Sequence, residues 1–367
     1  MKKYLKYICL QSRKQGTAGF THVTEIIKGL KKREWRVDLY EPDYGTYRRE
    51  PGAIRRLIEF FRVQIRFFMG SVKTPDAVYL RSHFALFPVT LFCKLTGIPV
   101  IQEINGPFED LYIAWPFTKK LSWLITRLVR HQYRMSDALI TVTPDLGNWL
   151  RREVGSKPIH IIPNGANTDM FKPDAISSTK LPKPYALFFG ALAPWQGIDT
   201  ILEAMDIDLW PKKVSLVIAG DGTARSQVQN SAKKNRNIVY LGKVPYKTMP
   251  GIISGAMVSL SPQSNTMGRS ETGLFPLKLF ESLACGIPVV VTDFPGQSDL
   301  VKKYECGLVI PHDKPETLAH AVSYIFQNPK KGKLMGNKGR KAVNQEHTWD
   351  KRAADTDEVI CNLSSNS

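Results

Sequence analysis

The chain has no apolar run long enough to cross a bilayer; Phe84–Phe92 is among the longest. It also lacks a cysteine pattern. The five cysteines, Cys9, Cys93, Cys285, Cys306 and Cys361, are scattered and odd in number, and no two have metal-ligand spacing. They read as reduced thiols of a cytosolic protein, which excludes a disulfide scaffold. Acidic residues are scarce beside basic ones, 33 against 51, so the formal charge is +18. A surface that basic attracts anions such as lipid headgroups, nucleic acid or phosphorylated substrates. Nucleic acid is the least supported, because neither zinc spacing nor an RNA-binding aromatic signature is present. The start of the chain is basic, but its apolar stretch ends at Leu10 before Ser12-Arg-Lys, so it reads as a first strand and not a signal peptide.

What is present is a long α/β alternation. Tyr4–Leu10 is a strand, a loop with Gly16 and Gly19 follows, and His22–Lys32 has helical spacing before a strand at Val37–Tyr40. Short buried strands follow at Ala77–Leu80, Pro99–Gln102, Ala138–Val142 and Ile159–Ile162. Lys172–Pro184 is rich in Pro, Ser and Lys and is the best linker candidate. A second series begins at Tyr185–Phe189 and continues through Val214–Ala219, Ile238–Leu241, Val258–Leu260, Val289–Thr292 and Leu308–Ile310. The expected organisation is a first domain over 1–171, a linker over 172–184, a second domain over 185–345 and a last helix over 346–367. The alternation predicts a doubly wound parallel sheet in each domain. Ligands of such sheets bind beyond the strand carboxyl ends, so a cleft between two facing domains is the expected site.

The most informative stretch runs from Gly273 to Asp293. It reads as a glycine loop, a short helix opening at Pro276, a tight turn at Gly286 and a buried strand. The first amides of a helix are unpaired and form a natural anion site. Lys278 and Glu281, three apart, share a helix face. Such a pair can hold a sugar nucleotide, with amides and ammonium on the diphosphate and the carboxylate on the ribose hydroxyls. The plain alternative is a solvated Lys–Glu pair on an ordinary helix.

Ala53–Met69 is the second unusual segment. Ile54, Leu57, Ile58, Phe61, Ile65 and Phe68 make one face of a helix, with Arg55, Arg62 and Arg66 beside it. One reading buries that face in the core and leaves a basic outer edge. The other lays it on an anionic membrane surface, with Phe61 and Phe68 inserted and the arginines on headgroups.

Taken in order, the Gly16/Gly19 loop, Ile162-Pro-Asn-Gly-Ala166 through Pro173, Phe188-Phe-Gly190 to Gly197, Val217-Ile-Ala-Gly-Asp-Gly222 and Pro276 to Val290 make the chain resemble a family 4 glycosyltransferase of the GT-B fold over essentially its whole length. The resemblance implies two Rossmann-like domains, with a nucleotide sugar held mainly by the second and an acceptor bound mainly by the first. It also implies a retaining reaction without a covalent intermediate, no required metal or other cofactor, and a last helix that crosses back to the first domain.

The chain departs from that family at several points. Eight positions before Glu281, where the family often has another glutamate, stands Gly273. Sugar hydroxyls then fall to the backbone of Gly273, Leu274 and Phe275, or to a shifted Glu271. In the loop after Gly190, Ala191 and Gln196 stand where the family often has two cations. Lys278 is the expected substitute. In the first domain, Asn105 occupies the place of a common histidine, and Glu103 is the nearest ionisable group, with His22 and His83 as further candidates. Glu103 can equally cap local backbone. Gly222 and Val244 complete the expected nucleotide-sugar contacts.

The acceptor is expected to be a lipid-linked or polymeric glycan at the cytoplasmic membrane face. A sugar-nucleotide epimerase of the same two-domain form, and an inactive sugar-nucleotide-binding relative, are the alternatives.

Overall fold

The computed structural model describes residues 3–11, 16–43, 52–70, 73–177, 179–266 and 268–364, with the side chains of Ala114, Arg269 and Ser364 excepted. The Ser12–Lys14 stop of the first apolar stretch lies outside the described residues, as does Met267 in the loop before Glu271.

The chain forms two compact units, one of residues 1–163 and 350–367, the other of residues 164–349. The first boundary therefore falls after Pro163, and not after Phe171 as expected. Ala166 explains the difference. It bridges to Thr348, its amide donates to the His347 carbonyl, and its side chain is buried in the second unit's core. The expected linker over 172–184 also belongs to the second unit, where the Lys172 carbonyl accepts from Ser254.

The first unit contains β1 (Tyr4–Cys9), α1 (Ala18–Lys32), β2 (Arg36–Tyr40), α2 (Ala53–Met69), β3 (Ala77–Arg81), α3 (Phe87–Thr96), β4 (Val100–Ile104), α4 (Glu109–Ala114), α5 (Ser122–Met135), β5 (Ala138–Thr141), α6 (Pro144–Val154) and β6 (Ile159–Ile161). Its strands form one parallel sheet in the order β2-β1-β3-β4-β5-β6. β1, β3, β4 and β5 are buried along their whole length, including the polar residues Lys6, Arg81, Gln102 and Glu103. The order reverses at β1, the usual place for a ligand crevice in an open α/β sheet.

The second unit contains β7 (Tyr185–Phe189), α7 (Ile198–Met205), β8 (Ser215–Ala219), α8 (Arg225–Lys234), β9 (Ile238–Gly242), α9 (Met249–Ser254), β10 (Val258–Ser261), α10 (Leu277–Ala284), β11 (Val289–Thr292), α11 (Gln297–Tyr304), β12 (Gly307–Ile310), α12 (Pro315–Gln327) and α13 (Pro329–Glu346). Its parallel order is β12-β11-β10-β7-β8-β9, with the reversal at β7. Apolar clusters cover both faces: Phe280 and Leu283 of α10 belong to one, and Ile201 of α7 and Val322 of α12 to the other.

The last helix, α14 (Trp349–Ser364), packs on the first unit. A Cβ on Gly29 of α1 would sit 2.2 Å from the Ala353 Cβ, so only glycine lets the two helices approach this closely. Asp350 pairs with Arg33, and Asp357 accepts from the Trp35 indole at 2.6 Å.

The apolar face of α2 is not in the core. Phe60, Val63 and Phe67 are buried, whereas Ile54, Leu57, Ile58, Phe61, Ile65 and Phe68 are exposed, Phe61 by 64%. The core-facing reading of that face is therefore wrong. The physical reason is that α2 already fills its contact with β1 and β3 through the three residues on its other side.

Candidate active site

The second unit's site is built at the carboxyl end of β7. The chain leaves that strand at Gly190, whose φ of 127° is open to glycine and strained for other residues. A side chain on Gly220, after β8, would run into the Gly190 carbonyl, 1.8 Å from the built Cβ. Gly222 is pressed against the Leu192 backbone in the same way. The expected contact residue Gly222 thus joins two loops by close approach. Gly190 is different: its built Cβ faces the end of the Lys278 side chain, with Cε at 3.6 Å.

Lys278 lies in the first turn of α10 and is only 7% exposed. Its ammonium donates to the Gln196 Oε1 at 2.5 Å and lies over the Phe188 ring, 4.0 Å from the centroid. The same Gln196 oxygen accepts from Gln263 at 3.1 Å. Gln196 therefore holds the cation that the resemblance would have put at its own position. Burial pushes the Lys278 ammonium down to about 7, with the charge of Glu281 opposing.

Glu281, one turn further on, is 5% exposed. The Tyr246 hydroxyl donates to its Oε1 at 2.6 Å. Burial pushes this carboxyl up to about 7, against the opposing effects of the Tyr246 bond and the Lys278 charge. Both ionisable groups are held short of hydration, and neither pairs directly with the other. Such groups gain from a ligand that restores their charged-state contacts.

The helix start is open. Pro276 is the N-cap residue, and among the described residues no side chain caps the first amides. The three backbone amides named from the sequence divide. Gly273 donates to the Ser270 carbonyl at 3.2 Å and Leu274 to the Pro295 carbonyl at 2.8 Å, so both are already used within the protein. Phe275 keeps its amide unpaired among the described residues, while its carbonyl accepts from Asn164 at 2.7 Å. Glu271 is exposed and accepts from Asn265 at 3.3 Å. Val244 packs with Tyr246 and Phe275 against the core that contains Phe280. Cys285 is buried and its thiol pushed up to about 12, which makes it inert.

The first unit's carboxyl end looks different. Glu103 on β4 is 1% exposed. It accepts from Tyr79 at 2.9 Å and Tyr7 at 3.3 Å, pairs with Arg81 at 2.6 Å and His22 at 3.1 Å, and takes a further bond from Asn105. Burial alone would raise this carboxyl. The charges of His22 and Arg81 and the bonds from His22 and Asn105 outweigh it and hold the group well below the usual carboxylate range. Glu103 therefore neither caps local backbone nor stands free to take a proton. It fixes Asn105, His22 and Arg81 in place. Arg81 also donates to Gln11 at 2.8 Å, and Gln11 lies beside Gly19 at the start of α1. Gly16 precedes it at φ 85°, and a Cβ built on it meets no atom of the described residues within 4 Å. His83 is apart from this network, stacked on Phe84, with burial and then the charge of Arg56 pushing its imidazole down to about 4.

Sequence reasoning missed Tyr246, Asn164, Arg81 and the two tyrosines. Arg81 did carry a signal, since a charged residue closing a buried strand needs a partner. Tyr246 carried none beyond its nearness to Val244.

Two doubly wound parallel sheets, each with glycine loops at the strand carboxyl ends, make up the two-domain GT-B form of glycosyltransferases. Residues 19–170 match the family described as glycosyltransferase family 4, and residues 171–342 the family described as glycosyl transferases group 1. The chain belongs to the family 4 glycosyltransferases. It is 25% identical over 348 residues to an uncharacterised glycosyltransferase of Methanocaldococcus jannaschii, with 90% of each chain covered. It is 27% identical over 209 residues to a GDP-mannose-dependent alpha-(1-6)-phosphatidylinositol monomannoside mannosyltransferase of Mycobacterium tuberculosis, covering 53% of this chain and 54% of that protein. The structure of a sucrose-phosphate synthase from Thermosynechococcus elongatus aligns over 100% of both chains with a TM-score of 0.82 at 16% identity, which shows a shared fold.

Proposed function

We propose that this glycosyltransferase moves a sugar, with retention of configuration, from a nucleoside diphosphate sugar to a hydroxyl of a lipid-linked or polysaccharide acceptor. The observation that carries the reading is the buried Lys278 ammonium at the uncapped start of α10, with the Glu281 carboxyl one turn away. As the glycosidic bond breaks, negative charge grows on the diphosphate. Lys278 and the amides of the first turn stabilise that charge from fixed positions. Glu281, released from Tyr246 or shared with it, accepts from the ribose hydroxyls. No metal or other cofactor enters this reading. No side chain is assigned as nucleophile, and the departing phosphate oxygen takes the acceptor proton. The M. tuberculosis relative named above has a lipid acceptor, which supports an acceptor of that class here.

The acceptor side of the reading includes attachment to the cytoplasmic membrane face. Among the described residues no helix is long and apolar enough to cross a membrane. The exposed apolar face of α2 carries Arg55, Arg62 and Arg66 along its flank, the arrangement of an interfacial helix. Arg62 pairs with Glu59 at 2.8 Å, and Arg66 donates to the Glu41 carbonyl at 2.5 Å.

The test is a panel of nucleotide sugars, read by thermal shift and by product formation with and without glycan acceptors. Transfer only in the presence of acceptor is expected. A new nucleotide sugar formed without acceptor would replace this reading with an epimerase. Stabilisation without any product would make the protein a binding relative only.

A further inference from the structure

A groove of about 650 Å³ lies between α5 and α6 of the first unit, away from the residues described above. Its walls carry four guanidiniums, Arg127, Arg130 and Arg134 from α5 and Arg152 from α6, together with His131. The three α5 arginines stand on one helix face by their spacing. A single carboxylate, Glu153, answers them. It pairs with Arg130, and its backbone carbonyl accepts from Arg134 at 3.1 Å. These two bonds engage the Nε of Arg130 and one terminal nitrogen of Arg134. Arg127 and Arg152 make no ion pair among the described residues. Four cations around one carboxylate repel one another unless an anion joins them.

The rim of the groove says which anion. Trp123 lines it and is 68% exposed. Leu121 and Leu124, its near neighbours in the chain, are also exposed, as is Phe117. Along the same side of the sheet, Phe68 of α2 meets Phe92 of α3 at 5.2 Å, and the Arg56 guanidinium lies over the Trp115 ring at 4.8 Å. An exposed Trp and aliphatic residues next to an arginine cluster match the two layers of a lipid interface, acyl chains below and phosphates above. A nucleic acid or a free metabolite has no use for the aliphatic rim.

We infer that the α5–α6 groove is a phosphate site for the headgroup of an anionic phospholipid. Guanidiniums meet the phosphate oxygens in paired hydrogen bonds, and Trp123 enters the interface beside them. The inference rests on the membrane part of the proposed function and is independent of the donor site.

The experiment is co-sedimentation of the full chain with vesicles of phosphatidylcholine, with and without phosphatidylglycerol. The variant Arg127→Ala/Arg152→Ala removes two exposed cations. The control Lys233→Ala/Lys234→Ala removes two exposed lysines from α8 of the second unit. The groove variant is expected to lose roughly thirtyfold in partition onto phosphatidylglycerol vesicles, while the control stays close to wild type. Equal losses in both variants would reduce the groove to diffuse charge and overturn the inference. So would inorganic phosphate that strips the wild type from vesicles where sodium chloride of the same ionic strength does not, because the ligand would then be free phosphate. If the wild type ignores anionic vesicles altogether, the membrane reading falls with the groove. If it binds them and the groove variant binds equally well, only the groove falls. Thermal shifts by nucleotide sugars are expected to be the same in all three proteins, which separates either failure from a failure of the donor site.

Discussion

The two sheets treat their buried charges in opposite ways. At the carboxyl end of the first, Glu103 is surrounded by five side-chain partners and held ionised. At the carboxyl end of the second, the Lys278 and Glu281 side chains have one hydrogen-bond partner each among the described residues and are pushed toward their neutral forms. A saturated buried carboxylate is scaffolding, because its solvation has been replaced within the fold. A buried cation with one amide partner and an aromatic face has replaced less of its hydration, and under the proposed function an anion would supply the rest. Under the proposed function, the first arrangement holds shape and the second receives the charge of the donor.

The comparison can be broken most sharply at Glu103. Glu103→Ala leaves Arg81 without its buried partner and is expected to cost about 3–5 kcal/mol of stability, seen as a lower midpoint in urea unfolding. Nucleotide-sugar binding by the folded fraction should be unchanged. A selective loss of transfer at full stability would instead make Glu103 part of the chemistry.

Lys278→Met is expected to do the reverse. It should lower kcat/KM by the worth of one charge-assisted contact, about 1.5–3 kcal/mol, and stability should not fall. Because the folded-state pKa of Lys278 lies below its ordinary value of 10.5, the unfolded chain binds the extra proton between about 7 and that value. The wild type therefore gains stability from this group as pH rises through that window. The stability advantage of Lys278→Met should be greatest near and below pH 7 and fade at alkaline pH. A stability loss at pH 7 would show that the ammonium is solvated within the fold after all.

Tyr246→Phe tests the smaller interaction. Removing the hydroxyl deletes a bond to Glu281 worth about 0.5–1.5 kcal/mol. We expect a higher KM for the donor with little change in kcat, and a carboxyl titration in the pH profile moved upward, since the bond favours the charged form. An unchanged KM would mean that Tyr246 supports only the fold.

A further test of the comparison is in acid. The Glu103 carboxyl lies below its ordinary range in the folded state, so its contribution is present above about pH 4.5 and is lost as pH falls further. Glu103→Gln should flatten that acid limb of the stability curve. An identical limb in both proteins would assign the acid sensitivity elsewhere.

Much of this was legible beforehand for physical reasons. Parallel strands buried on both faces appear as short apolar runs, and strands such as β7 and β11 are found at the positions those runs indicate. Lys278 and Glu281 share a face because helical spacing requires it. Less visible were contacts made across the fold. The amides of Gly273 and Leu274 looked available until the Ser270 and Pro295 carbonyls proved to take them. Gln196 looked like a lost cation and is instead the acceptor that holds Lys278. The α2 face looked equally suited to a core or to a membrane, since amphipathic spacing gives an apolar face and cannot say what covers it.

The order of amino acids alone determined the α/β alternation, the glycine positions where backbones must pass closely, and the net positive charge, because each follows from local geometry or simple counting. Tertiary structure alone decided which polar groups were left under-solvated. That depends on neighbours far along the chain, as Tyr246 beside Glu281 and Gln196 beside Lys278 show, and no local pattern encodes such distances.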